Sequence, residues 1–357
     1  MLNRPFRTYL LIAGCLLWAW PAAAQFQHAK YGGDFLSVGG GARALAMGSA
    51  QVAVARDVTS GYWNPAGLAG MKDVEIIYMH SERFNGIVGY DYGAVAYPVR
   101  HDGGVFALSF FRQGVDNIKN TLNAWDRERN LPRDNPQDYI TEFSTADVAF
   151  LLTYASSRSD ALSWGASAKI LNSRLGPFAK AWGYSLDFGL RYHTPWVDLG
   201  INLMDITTML KFWDVNQAKL QALSDNYGDV VPEGQNERVL PTVKFGLARV
   251  FDFNDFLLTT AADVDIRFEG RRTYYLNLGD ASFEPHLGGE VTYKKHFSFR
   301  AGLTDFTTGF GSGLSMSPTL GAGLNFKRLT LDYGFASFAG TASALGFTHR
   351  ISLKVQI

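Results

Sequence analysis

Apolar and polar residues alternate one for one over much of this chain. Leu186, Phe188, Leu190 and Tyr192 are separated by Asp187, Gly189 and Arg191. Val197, Leu199, Ile201 and Leu203 are separated by Asp198, Gly200 and Asn202, and Phe297, Phe299, Ala301 and Leu303 by Ser298, Arg300 and Gly302. Residues 162–170 repeat the pattern, and at the end Ile351, Leu353, Val355 and Ile357 oppose Ser352, Lys354 and Gln356. Successive side chains of a strand leave opposite faces. A period of two therefore predicts strands, each with one apolar and one polar face, rather than helices.

About fourteen such segments fall between residues 74 and 357, and the connections between them alternate as well. Short ones lie at 100–104, 156–160, 193–196, 250–255, 294–296 and 327–328. Longer ones lie at 81–89, 114–138, 173–181, 205–240, 268–283, 305–317 and 338–345. An outer-membrane barrel keeps tight turns at one rim and larger loops at the other. The predicted fold is thus all-β: a transmembrane antiparallel β-barrel of about 14 strands, longer loops outside, both termini in the periplasm. A soluble sheet shares the local pattern, but its apolar faces would need one unusually large core. A closed barrel needs no such core and leaves no unpaired edge.

Composition fits this division of faces. The chain is 47% hydrophobic and only 18% charged, yet beyond residue 24 it has no run of about 20 apolar residues to make a membrane helix. The apolar residues sit singly, as a wall between lipid and a polar interior requires. Residues 1–24 read as a secretory signal: Arg4 and Arg7, an apolar stretch from Leu10 to Trp20, and Pro21-Ala22-Ala23-Ala24 before Gln25. Ile12-Ala13-Gly14-Cys15 also resembles a lipoprotein box, with a very short apolar region ahead of it. Cleavage after Ala24 removes Cys15, the only cysteine, which excludes disulfides, cysteine-ligated zinc and a cysteine nucleophile. It also removes Arg4 and Arg7, so the net charge falls from +0 to −2, and nothing suggests nucleic acid.

Residues 25–73 break the rhythm and divide the chain into signal (1–24), N-terminal segment (25–73) and barrel (74–357). The segment holds Gly39-Gly40-Gly41-Ala42-Arg43-Ala44-Leu45-Ala46-Met47-Gly48 and, later, Tyr62-Trp63-Asn64-Pro65-Ala66-Gly67-Leu68-Ala69. Asn64 suits a helix N-cap and Pro65 the first helical position. Small residues allow close backbone packing, and too many apolar residues are present for an exposed tail. The segment is expected to plug the lumen, with short helices. The paired runs, at this spacing after a signal, resemble the N-terminal signature of the PorV/PorQ family, within the FadL-like outer-membrane barrels. That resemblance implies a fourteen-stranded barrel with its N-terminal segment in the lumen. It implies either service in protein secretion of the type IX kind, or as a scaffold, or FadL-like passage of hydrophobic small molecules. The chain ends in Ile357 rather than the Phe common in such barrels, which bears on assembly rather than fold.

Chemistry is sparse. Gly39-Gly40-Gly41 lacks the βαβ context of a dinucleotide loop. His28, His80, His101, His193, His286, His296 and His349 show no compact ligand spacing, and no G-x-S-x-G motif marks a hydrolase; no enzyme, metal or cofactor is expected. Asp225, Asp229 and Glu233 offer carboxylates in the longest loop but miss EF-hand spacing. Met209, Trp213, Leu220 and Leu223 approximate one helical face, either a partner contact or a loop packing on its own barrel. The expected lumen-facing charges are Lys169, Asp187, Arg191, Lys244, Asp263, Asp265, Arg267, Glu290, Arg300, Asp332 and Lys354, with Arg43 and Asp57 as partners from the plug. With Asn64, Pro65 and Ala66, those two make up the plug motif. Outward Trp164, Trp182, Trp196, Tyr192 and Tyr293 suit interfacial belts in the outer-membrane lipid. The expected partners beyond lipid are secreted proteins or secretion components, or a hydrophobic small molecule.

Overall fold

A computed structural model describes residues 26–29, 32–99, 103–268, 270, 276–308, 314–337 and 346–357. The expected signal peptide, with Arg4, Arg7 and Cys15, and His101 lie outside these residues. The chain opens with β1 (Phe26–His28), α1 (Ala42–Ala46), α2 (Ser60–Trp63) and a 3-10 turn, Pro65–Leu68. The wall then starts with β2 (Glu75–Arg83), β3 (Val88–Pro98) and β4 (Gly104–Asn120). A small pair, β5 (Trp125–Asp126) and β6 (Leu131–Pro132), sits in the next loop. After it come β7 (Thr141–Ser157), β8 (Leu162–Leu175), β9 (Ala179–His193) and β10 (Asp198–Met204). The longest loop contributes β11 (Met209–Val215), α3 (Gln217–Tyr227) and β12 (Asn236–Val239). The chain continues through β13 (Thr242–Phe253), β14 (Phe256–Arg267), β15 (Leu276–Leu278) and β16 (Ala281–Tyr293). It ends with β17 (Phe297–Thr308), β18 (Leu314–Phe326), β19 (Leu329–Ser337) and β20 (Phe347–Gln356).

The long strands pair antiparallel in sequence order, and the ring closes where β20 pairs with β2, Gln356 opposite Glu75. The result is a closed 14-strand antiparallel barrel with few short helices. β11 takes over from β10 beside the upper part of β9. Among the described residues no helix is long and apolar enough to cross a membrane; the strands do that work.

The faces of the wall are inverted relative to a soluble sheet. Leu152 and Phe299 are 58% and 67% exposed, whereas Lys169 and Asp187 are 1% and 2% exposed. Apolar rings and branches point to lipid, and charge points inward, as a membrane barrel requires. Tyr192, Trp196 and Tyr293 sit at or beside tight turns, and Trp164 close to one, so those four belong at the short-turn rim; Trp182 lies near the opposite one.

One expectation is corrected by the pairing of β1. It lies parallel to β12, Phe26 opposite Asn236, and β12 belongs to the longest loop. The described chain therefore starts at the long-loop rim, while Ile357 donates its amide to the Val74 carbonyl at the other rim, 2.8 Å away. An even strand count puts the first and last wall strands on one side. It says nothing of the segment before them, which threads the lumen from rim to rim.

Candidate functional site

The segment between β1 and β2 fills the barrel, and its backbone is what the wall holds. Ala42 N–H donates to Ser352 Oγ (3.2 Å) and the Ala46 carbonyl accepts from Thr319 Oγ1 (3.0 Å). Asp263 Oδ2 accepts from the amides of Gln51 (2.6 Å) and Val52 (2.8 Å), and Glu75 Oε2 from that of Val58 (2.9 Å). Asn202 donates to the Trp63 carbonyl (3.0 Å), and His286 Nδ1 lies 2.9 Å from the Gly48 carbonyl. Inward side chains of the wall thus replace the water that an irregular backbone would otherwise need.

Close approach explains the glycines. Gly48 has φ +60°, and a Cβ there would stand 2.5 Å from the Leu287 carbonyl oxygen. A Cβ on the facing Gly302 would stand 2.2 Å from the Gly48 nitrogen. Only hydrogen fits on either side of that contact.

Asn64 is the densest node. Its Oδ1 accepts from Ala66 N–H (3.1 Å), capping the 3-10 turn that Pro65 begins. Its Nδ2 donates to the carbonyl of Val52 (2.8 Å), earlier in the plug, and to that of Leu190 (3.1 Å) on β9. Asn64, Pro65 and Ala66 are all buried.

The charged residues form paired groups around this backbone. Arg43 grips Glu290 with two bonds, 2.9 and 2.8 Å. Glu290 also accepts from Arg300 (2.5 Å), which bonds Asp332 (2.7 Å). Burial disfavours the Arg43 charge, but Glu290, with Asp57 and Asp332, outweighs burial and holds the guanidinium pKa above its usual value. Asp57 accepts from Lys354 (2.7 Å) and from the Thr59 hydroxyl (2.5 Å). Burial pushes the Asp57 carboxyl up; Lys354, Thr59 and Arg43 together pull it further down, below the usual carboxylate range. Lys169 bridges Asp187 (3.1 Å) and Asp205 (2.9 Å), Arg191 faces Asp198 (3.4 Å), and Lys244 faces Asp265 (2.5 Å). Arg267 lies 3.6 Å from Glu284. Asp263 binds plug amides, and no cation lies within ion-pair distance of it among the described residues.

Sequence reasoning left Asp198, Glu284, His286 and Arg350 out of the lumen-facing set. All four face inward in register with residues it did name, so the alternation that marked Lys354 also marked Arg350. Asp265, Glu284 and His286 bring ligand-type atoms within 4.8 Å of one another. Lys244 and Arg267 already face those two carboxylates, so the donor set does not fit a metal cation. Asp225, Asp229 and Glu233 form no such group among the described residues.

The proposed helical face does not form. Met209 and Trp213 lie on β11, paired to β9 and β12, and only Leu220 and Leu223 lie on α3. Met209 is buried, its thioether against Gly33, and is not an outer contact. Strand pairing with β9 overrode an approximate 3.6-residue spacing. α3 begins where Asn216 caps it, accepting from Lys219 N–H (3.2 Å).

The plug divides the interior. On its long-loop side lies a cavity of about 340 Å³ whose walls include Val38, Leu45, Trp63, Lys244, Glu284 and Arg350. On its short-turn side lies one of about 510 Å³, bounded by Arg56, Gly70, Asp160, Arg191 and His193.

No protein-family model matches the chain, and no curated protein matches it in sequence. Solved structures match it in fold. The toluene transporter TbuX of Ralstonia pickettii is 12% identical, with 89% of this chain and 98% of that one covered and a TM-score of 0.52. A toluene transporter TodX of Pseudomonas putida is 13% identical, with coverages of 93% and 98% and a TM-score of 0.54. The CymD monoaromatic hydrocarbon channel is 13% identical, with coverages of 89% and 97% and a TM-score of 0.51. At these identities the likeness establishes the barrel fold, and a barrel of this type fits the outer membrane.

Proposed function

We propose that this protein is an outer-membrane channel for small, largely hydrophobic molecules, its long loops outside the cell and its plug displaced during passage. The observation that carries this reading is the divided lumen: a cavity at each rim, with a plug between them held by discrete hydrogen bonds and ion pairs. Such contacts can be exchanged one at a time, so the plug can shift without unpairing the wall. Toluene transporters and a monoaromatic channel share the fold over nearly their whole length, and this supports the choice of cargo. The secretion reading drew on the Gly-Ala-Arg-Ala and Asn-Pro-Ala runs. Here those residues anchor a plug, work needed by any plugged barrel, and so they favour secretion no more than transport.

A disulfide lock tests the proposal. A Cβ at Gly61 on α2 would lie 3.8 Å from that of Ala107 on β4, a spacing that suits a disulfide. Cells carrying the protein should take up low concentrations of labelled toluene faster than cells without it. Oxidised Gly61→Cys/Ala107→Cys protein should lose that gain, and reductant should restore it. Equal uptake with and without the protein would sink the transport reading, and co-purification of secreted proteins from native membranes would replace it.

A further inference from the structure

The cavity at the short-turn rim is lined by charges that do not balance. Five ionisable side chains face it: Arg56 from the plug, Arg158 and Asp160 from the turn between β7 and β8, and Arg191 and His193 from β9. Asp198, at the start of β10, is the carboxylate on which three of them converge. His193 Nδ1 lies 2.7 Å from its Oδ1, Arg191 Nη2 donates to the same oxygen at 3.4 Å, and Arg56 donates to Oδ2. Arg158 and Asp160 are exposed and make no ion pair among the described residues, so water screens both. The excess falls on Arg56 and Arg191, two guanidiniums on one carboxylate.

Other groups in the lumen lack this excess. Arg43 and Arg300 share Glu290 and Asp332, and Lys169 has Asp187 and Asp205 to itself. Arg191 shows the shortfall in its own contacts. Its side chain is 10% exposed, its Nε is buried without a hydrogen-bond partner, and its bond to Asp198 is long. Leaving a buried charged donor unmet is costly. A guanidinium carries five N–H donors, and the two oxygens of Asp198 already serve three side chains.

We propose that this mouth binds a phosphate group, shared between Arg56 on the plug and Arg191 on the wall, with Arg158 at its edge. Guanidiniums pair with phosphate through two parallel hydrogen bonds. A phosphate group offers three oxygens or more and roughly two negative charges, whereas a carboxylate offers two oxygens, and at Asp198 two do not meet the donors present. The Ser157 and Ser163 hydroxyls, 3.3 Å apart in the same wall, add donors that suit an oxyanion. On the orientation proposed above, the mouth opens to the periplasm. Its volume of about 510 Å³ leaves room beyond the phosphate for whatever carries it. The site stands on these contacts and not on the transport reading.

The probe is inorganic phosphate, titrated by calorimetry against the purified full chain in detergent, in phosphate-free buffer at constant ionic strength. Wild type should bind it. Arg56→Gln and Arg191→Gln should each weaken binding at least tenfold and Arg158→Gln severalfold, while Arg127→Gln, at the opposite rim, leaves it unchanged. Folding of each variant is checked by its heat-dependent gel mobility; Arg56 is half exposed, so Arg56→Gln keeps the test alive should Arg191→Gln misfold. Competition distinguishes the source: glycerol phosphate displacing more tightly than free phosphate marks a carried group, and the reverse marks the free ion. No binding by wild type in the millimolar range, equal binding by wild type and folded Arg56→Gln, or acetate competing as well as phosphate overturns the site. A loss confined to Arg191→Gln, with both variants folded, overturns the sharing between plug and wall.

Discussion

Replacing Asn64 separates a helix cap from a structural node. If Asn64 only capped the 3-10 turn, Asn64→Ala would cost about 1 kcal/mol. Its side chain instead makes three hydrogen bonds, to Ala66 N–H and to the carbonyls of Val52 and Leu190. Each contributes roughly 1 kcal/mol net, and orphaning a buried backbone group adds about 1–3 kcal/mol. Truncation should therefore cost about 3–5 kcal/mol, several times a cap's worth. Asn64→Asp sharpens the contrast. Asp is as good an N-cap as Asn, but it has no donor for the two carbonyls and sets a charge against them. It should destabilise about as much as alanine. The assay is urea unfolding in lipid vesicles followed by tryptophan fluorescence, with protease cleavage between residues 42 and 70 as a local readout. The reasoning would be refuted by an Asn64→Asp protein of wild-type stability, or by an alanine variant within 1 kcal/mol of wild type.

Three further outcomes follow from the geometry. Glu290→Gln leaves Arg43 and Arg300 facing each other without the shared carboxylate, and breaking such a buried group should cost about 3–5 kcal/mol; planar-bilayer recordings should show raised or noisy conductance as the plug loosens. Asp57 has its folded pKa held below the usual range, so its contribution to stability is complete above about pH 4 and is lost as pH falls through the folded value. Unfolding midpoints between pH 5 and 2 should fall more steeply for wild type than for Asp57→Asn, and parallel slopes would remove Asp57 from the account. Ala29 lies at the long-loop rim and Arg328 in a tight turn at the other; an impermeant maleimide on intact cells should label Ala29→Cys and spare Arg328→Cys, the reverse pattern inverting the proposed orientation.

The wall was legible because its signal is periodic and redundant. A residue such as Phe188 is placed outward by every second residue along β9, so no single ambiguity can flip it. The same logic carried Lys169, Asp187 and Glu290 inward before any partner was known. It failed where pairing is local and irregular. β11 resumes beside β9 after a turn at Asp205 and Thr208, both with positive φ, and its Met209 and Trp213 share with Leu220 and Leu223 a spacing that predicts a helical face instead. Which carboxylate meets which cation was also beyond the pattern: Lys354 pairs with Asp57 across 297 positions of sequence. Period two fixes the face of a side chain, not its height relative to a plug that lacks a period of its own.

The plug segment shows what its small residues and its Asn-Pro-Ala run are for. A backbone without a sheet must bring its amides and carbonyls to the wall. Ala46, Gly48 and Val52 do so at the long-loop half of the lumen, Gly61 and Trp63 farther along. That approach needs hydrogen at Gly48 and Gly302, a methyl group no larger than Ala46 against Gly321, and one amide side chain that can accept and donate at once. Asn64 meets the last demand, and Arg43 adds a two-bond charged clamp on Glu290. Each requirement follows from holding irregular chain inside a barrel, whatever passes through it. A sequence signature built from these residues therefore reports that the lumen is plugged. What distinguishes one plugged barrel from another must be sought where anchoring makes no demand.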